Sequence, residues 1–144
     1  MTVSATARPT GHPGYTETLP CAPQSARQAR QLVRTALAAW GLDRLADDGE
    51  TIVSELVANA WRHSRCRRIH VSVTRPDAGR VRIGVADASR ERPVPRRAAA
   101  DDVRGRGLAL VAALADRWGT DPLPCGKRVW GELVGTQAEG GAGR

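Results

Sequence analysis

The sequence predicts a single α/β domain, in which amphipathic helices accompany strands. Its 144 residues suit one compact core, because domains cluster at roughly 100–200 residues. The apolar residues recur with a helical period from about Ser25 to Arg62 and alternate from about Ile69 onward, which indicates helices followed by strands. With 41% hydrophobic and 26% charged residues, the composition excludes disorder of the whole chain.

Two helices are predicted in the first half of the chain. The first begins at Ser25, whose hydroxyl can cap it, and ends at Gly41. The second runs from about Asp47 to Arg62. The apolar stripe of the first helix comprises Ala29, Leu32, Val33, Ala36, Leu37 and Trp40, and that of the second comprises Ile52, Val53, Leu56, Val57 and Ala60. One face of each helix should therefore pack on a core.

A hairpin is predicted after the second helix. The turn at residues 76–79 separates two runs of alternating residues. The apolar positions are Ile69, Val71 and Val73 in the first run, and Val81, Ile83 and Val85 in the second. A short strand around Tyr15 to Leu19 is also expected.

The last third of the chain is less regular. Residues 88–104 have no usable period and contain two prolines, which is typical of a long mobile loop. A third helix then follows, and a last strand is expected from about Arg128 to Val134. The residues predicted to face inward from this helix are Leu108, Val111, Leu114, Ala115 and Trp118.

Charge and compartment signals exclude several classes of partner. The net charge of +7 is weak evidence for nucleic acid, and 3% aromatic residues supply no stacking platform, so no direct nucleic-acid partner is expected. No apolar run approaches the roughly 20 residues that cross a bilayer, so no membrane segment is expected. The first twenty residues lack a secretory signal, and the three cysteines are scattered. A cytoplasmic location is therefore predicted.

The second predicted helix carries a polar stripe beside its apolar one. Glu55, Asn59 and His63 are spaced at i, i+4 and i+8, so they lie on one side of the helix. A carboxylate suits proton transfer or water positioning, and a carboxamide oxygen is a ligand that Mg²⁺ accepts beside phosphate oxygens. On spacing alone, a solvated helix edge is the commoner meaning.

Two further places could contact a ligand. Asp87 ends the second strand of the hairpin, where an aspartate is either a turn former or an acceptor for an exocyclic amino group. Gly105 and Gly107 come just before the third helix, whose N-terminus could face a phosphate. Two glycines at such a place are more often just a turn.

Four segments together resemble the ATP-binding domain of the GHKL superfamily of histidine-kinase-like ATPases. In order they read ELVANAWRHS, VADAS, GRGLALVAALADRWG and GKRVWGEL. More narrowly, they are similar to the bacterial anti-sigma-factor serine/threonine kinases. The resemblance covers about Tyr15 to Val134. It implies a Bergerat-type fold, which is a two-layer α/β sandwich whose mixed, mostly antiparallel sheet carries helices on one face.

The resemblance also implies roles for residues of the second helix and the hairpin. Glu55 matches the acid that acts as general base or positions water. Asn59 matches the asparagine that binds Mg²⁺, and His63 matches a polar position close to the phosphates. Asp87 matches the acid that reads the adenine amino group.

The loop before the third helix matches the lid over ATP in this resemblance. The implied lid is residues 88–104, within a domain that spans residues 15–136. Residues 1–14 and 137–144 are then flexible tails. The residues at the base of the lid that could bind the nucleotide are Arg104, Gly105, Arg106 and Gly107.

The function implied is that of an ATP-binding regulatory protein that uses ATP and Mg²⁺. It would be a serine/threonine protein kinase that phosphorylates an anti-sigma-factor antagonist and sequesters a sigma factor, and homodimerisation is left open. The alternative is a nucleotide-sensing, partner-binding module without useful kinase activity. The residues after Asp87 favour this alternative, because they read Ala-Ser-Arg-Glu where the superfamily usually has glycines.

A zinc site is the remaining alternative for the polar residues. His63, Cys66, His70 and Cys125 have the right chemistry, but they lack the compact pairing of ligands found in structural zinc sites.

Overall fold

A six-stranded sheet forms one layer of the structure, and helices form the other. The structure is a computed structural model that describes residues 4–7, 13–63, 67–87 and 108–135. The strands are β1 Ser4–Ala7, β2 Pro13–Pro20, β3 Arg68–Asp77, β4 Arg80–Asp87, β5 Arg117–Leu123 and β6 Gly126–Val134. The helices are α1 Ser25–Ala39, α2 Ala46–His63 and α3, which is described over residues 108–114.

The strand order is β1-β2-β3-β4-β6-β5. All five described pairings are antiparallel, so the parallel part of the predicted mixed sheet is not found among these strands. The predicted two-layer α/β sandwich is confirmed. The order places β6 between β4 and β5, so the end of β4 lies beside the start of β6.

The core lies between the sheet and the helices. Alternate residues of β3 are buried there, as the period of 2 predicts, whereas in β4 the last five residues are all buried. The largest fully buried apolar side chains are Leu32, Leu37, Leu42, Ile52, Leu56, Ile69 and Ile83. The predicted apolar stripes of α1 and α2 supply most of the helix side, although Trp40 is only partly buried.

The first helix begins where the sequence predicts, for a different reason. The hydroxyl of Ser25 donates a 2.7 Å hydrogen bond to the carbonyl of Pro20, at the end of β2, and so does not cap its own helix. Gln24 is the N-cap and makes no side-chain capping bond. The stop at Gly41 is confirmed, because its φ of 71° is left-handed and glycine adopts that conformation at little cost.

Two strands lie where the sequence predicts other structure. The predicted tail of residues 1–14 is wrong for Ser4–Ala7, which pair with β2. The predicted third helix is wrong beyond residue 114, because Trp118 belongs to β5 and is 39% exposed. The backbone N–H of Asp116 donates to the carbonyl of Glu132, which starts the strand pairing there. The predicted tail of residues 137–144 lies outside the described residues.

The hairpin of β3 and β4 matches its prediction. Its turn is closed by the backbone N–H of Gly79, which donates to Oδ1 of Asp77 at 2.9 Å. Such an aspartate turn is the local reason why the chain reverses here.

The described part of the chain contains no helix long and apolar enough to cross a bilayer.

The outer face of the sheet, which is the face opposite the helices, carries a buried carboxylate. Glu132 on β6 is fully buried there, because three arginine side chains enclose it. Arg82 donates to Oε2 at 2.8 Å, and Arg117 donates to Oε1 at 2.8 Å. Arg80 donates to Oε1 at 3.2 Å. Burial alone would raise the pKa of Glu132, but the hydrogen bonds from Arg117 and Arg82 outweigh it and hold the pKa below its usual range.

A second buried carboxylate, Glu17 on β2, lacks such partners. It is 6% exposed. Its Oε1 has no hydrogen-bond partner among the described residues, and burial raises the pKa of this carboxyl. The ionised form therefore destabilises the fold at neutral pH.

We expect Glu17→Gln to increase the free energy of unfolding at pH 7.5 by about 1 kcal/mol. The folded-state pKa lies above the ordinary value of 4.5. The free-energy cost of holding an ionised Glu17 in the fold is therefore absent below pH 4.5 and grows as the pH rises through the folded-state pKa. Urea denaturation at pH 4 and pH 7.5 checks this, and an equal gain at both pH values would contradict it.

Candidate functional site

The C-terminal end of α2 lies above the sheet where β4 ends. Near the start of the helix, a Cβ placed on Gly49 would lie 3.4 Å from Cδ1 of Ile83 in the middle of β4. From Gly49 to His63 the helix advances about 20 Å, and from Ile83 to Asp87 the strand advances about 14 Å. The helix and the strand run in the same direction, because the carbonyl of Ala60 in α2 accepts a hydrogen bond from the thiol of Cys21, and Cys21 follows β2 at the sheet end where β4 also ends. The C-terminal end of α2 therefore lies over the same sheet end as Asp87.

Asp87 holds a buried carboxylate at this end of the sheet. The residue is 5% exposed and lies opposite Lys127, the second residue of β6, in the β4–β6 pairing. The ammonium of Lys127 donates to Oδ2 of Asp87 at 3.1 Å. The side chain of Lys127 is 35% exposed. The pair thus combines a buried acceptor with a donor that water can reach.

The backbone beside Asp87 requires a glycine. Gly126 has a φ of +155°, and a Cβ at this position would overlap the carbonyl oxygen of Asp87. The same Cβ would lie 2.8 Å from Oδ1 of Asp87. The glycine therefore lets the start of β6 approach the carboxylate closely.

His63 lies at the other side of the same region. Partial removal from water lowers the pKa of its imidazole, and the positive charges of Arg62 and Lys127 lower it further. Lys127 acts on the pKa of His63 although the two residues are 64 positions apart in sequence. His63 is neutral at pH 7, so it can meet a phosphate as a hydrogen-bonding group but not as a cation.

The remaining members of the polar stripe differ in exposure. Asn59 is 5% exposed, whereas Glu55 is half-buried. A buried carboxamide beside a ligand site is a suitable oxygen donor for Mg²⁺. The described residues contain no group of three or more His, Cys, Asp or Glu side chains that could hold a metal by themselves. The donor set therefore fits Mg²⁺ only when phosphate oxygens complete its coordination.

Four of the predicted site residues are described: Glu55, Asn59 and His63 lie along the second half of α2, and Asp87 ends β4. The other four lie outside the described residues: Arg104, Gly105, Arg106 and Gly107. The predicted lid of residues 88–104 lies outside them as well, as does Cys66 of the zinc alternative.

Sequence reasoning missed Lys127 as a member of the site. It lies on β6 at the same parity as Val129, Gly131 and Leu133, which face the helices. A strand starting two residues earlier than predicted would have placed Lys127 on the helix side. Trp61, in the last turn of α2, is 46% exposed.

The fold and the candidate site define a class of protein: an α/β sandwich with polar side chains along the end of one helix and at the end of a central strand. Residues 19–130 match the family described as the histidine kinase-like ATPase domain. Because the match covers most of the chain, this protein belongs to that family, whose domains bind ATP, usually with Mg²⁺. A comparison with curated proteins gave no significant match.

Proposed function

We propose that this protein is a cytoplasmic serine/threonine protein kinase of the anti-sigma-factor type. It binds ATP with Mg²⁺, phosphorylates a small antagonist protein and, in another state, sequesters a sigma factor. The observation that supports ATP as its ligand is the buried carboxylate of Asp87, which is held at the sheet end beside the polar stripe of α2. A buried carboxylate makes a strong hydrogen bond to an amino group of a base.

Each residue then has a separate task. Asp87 accepts a hydrogen bond from the exocyclic amino group of adenine. Asn59 supplies an oxygen to Mg²⁺, and Glu55 positions or deprotonates the attacking hydroxyl. Phosphoryl transfer depends mainly on positioning and on charge neutralisation, so these groups and cationic residues near the phosphates form a sufficient set.

The second candidate function is a nucleotide-sensing module that sequesters a partner without useful transfer activity. The sequence after Asp87 favours it, because Ala88 and Ser89 replace residues where a glycine would admit the nucleotide backbone closely. This candidate retains ATP binding and loses only catalysis.

Calorimetry with ATP and Mg²⁺ tests the shared part of both candidates. We expect wild-type protein to bind and Asp87→Asn to lose at least tenfold in affinity, because the new amide N–H₂ opposes the amino group of the base. The Asn59→Ala variant should lose the part of its affinity for ATP that depends on Mg²⁺. Ser54→Ala is the matched control on α2, because its hydroxyl accepts a bond from Arg30 away from the site. No ATP binding by folded wild-type protein would overturn both candidates.

A transfer assay with labelled ATP and an anti-sigma-factor antagonist protein separates the two candidates. Under the kinase proposal, a phosphoserine or phosphothreonine forms on the antagonist, and Glu55→Ala abolishes it while ATP binding stays largely intact. If wild-type protein binds both ATP and the antagonist and transfers nothing, the sequestering module is the correct function. Loss of ATP binding in Glu55→Ala would contradict the role given to Glu55.

A further inference from the structure

Lys127 is the single lysine of a chain in which every other basic side chain, apart from histidine, is an arginine. It is also the residue whose ammonium contacts the buried carboxylate of Asp87. The two amino acids are not equivalent, since a lysine is a compact point charge on a flexible stem and an arginine is a planar fork. The lysine therefore provides a compact donor to the Asp87 carboxylate.

The contact with Lys127 restricts the orientation of the Asp87 carboxylate. Oδ2 accepts the bond from Lys127, and Oδ1 faces the backbone of Gly126 at a distance that leaves no room for a Cβ. The strand pairing of Asp87 with Lys127 aligns both residues before any ligand arrives. The carboxylate is thus held in one orientation by a charged hydrogen bond, which is stronger than a neutral one.

We propose that Lys127 is a positioning and specificity residue, which orients the Asp87 carboxylate so that the site selects a purine bearing an exocyclic amino group. This inference rests on the proposed ATP-binding function. The remaining N–H donors of Lys127 lie next to that carboxylate, so the base end presents an acceptor beside a donor. The edge of adenine offers the complement, which is an amino donor beside a ring-nitrogen acceptor.

The test compares ATP with purine riboside triphosphate, which differs from ATP only in lacking the amino group. Calorimetry or competition with a fluorescent nucleotide gives the ratio of the two affinities. We expect wild-type protein to prefer ATP by roughly tenfold or more. Lys127→Met should reduce that preference to about twofold, because the carboxylate loses its charged hydrogen bond, and Lys127→Arg should restore it only in part, because it keeps the charge but not the compact donor.

Arg128→Met is the matched control, since it removes one positive charge from the neighbouring residue, whose side chain packs on Gly84. It should keep the wild-type preference for ATP. A general loss of stability would weaken the binding of both nucleotides equally and leave the ratio of their affinities unchanged. A change in this ratio therefore reports the positioning of the carboxylate. An unchanged ratio in a Lys127→Met protein that still binds ATP overturns the role of Lys127 alone. Failure of the wild-type protein to bind ATP overturns the proposed function and this inference with it.

Discussion

Gly126→Ala is expected to abolish measurable ATP binding and to lower the free energy of unfolding by about 3 kcal/mol. The new Cβ would overlap the carbonyl of Asp87, and the φ of +155° suits glycine but not alanine. Strained backbone costs about 1–3 kcal/mol, and overpacking adds a similar amount. Relief requires the start of β6 to move away from β4, which displaces Asp87 and Lys127 together. Urea denaturation and ATP calorimetry measure the two effects.

Gly84→Ala is the control for this change, because Gly84 lies on β4 three residues before Asp87. Its Cβ would meet the side chains of Arg128 and Ser72 at 3.3 Å, and the flexible arginine can shift. We expect less than about 1 kcal/mol of destabilisation and normal ATP binding. Gly126→Ala protein with wild-type stability and affinity would show that the approach of the two strands does not matter.

Glu132→Ala is expected to destabilise the fold by about 2–4 kcal/mol. The substitution removes a fully buried carboxylate and leaves Arg80, Arg82 and Arg117 close together without their shared anion. Removing one partner of a buried ion pair costs about 3–5 kcal/mol, and the partial exposure of the arginines reduces that figure. Thermal or urea denaturation measures the change.

An exposed member of the same cluster is the control. Asp116 lies 3.0 Å from Arg80 with its side chain 46% exposed, so Asp116→Ala should cost no more than about 1 kcal/mol. The contribution of Glu132 also depends on pH. Its folded-state pKa is below 4.5, so the contribution is present above that value and disappears as the pH falls through the folded pKa. If Glu132→Ala and Asp116→Ala lowered the free energy of unfolding equally at pH 7, burial would not explain the contribution of Glu132.

The regular elements were predictable because their signals are local. A helical period over α1 and α2 and the alternation over β3 and β4 depend only on neighbouring residues. The short strands β1 and β5 carry no such period. β5 contains a glycine and a proline, and it is stabilised by its pairing with β6. Strand formation there depends on tertiary contacts, which a local pattern does not contain.

The candidate site shows the same division between local and tertiary signals. Helical spacing alone placed Glu55, Asn59 and His63 on one side of α2, and the end of an apolar strand placed Asp87. The contact between Asp87 and Lys127 joins residues 40 positions apart. It exists only because β6 pairs with β4, and the local pattern of a single segment does not predict the order of strands in the sheet.

Under the proposed function, the pairing of Asp87 with Lys127 has a consequence for the thermodynamics of nucleotide binding. Asp87 and Lys127 lie on adjacent interior strands of the sheet, so the conformational entropy of ordering their backbone is lost during folding. A base that docks against this pair finds it preorganised and need not order it again. Affinity for the base and stability of the central sheet are therefore coupled, and variants that loosen the β4–β6 ladder should bind with a larger entropic penalty than their lost contacts alone explain.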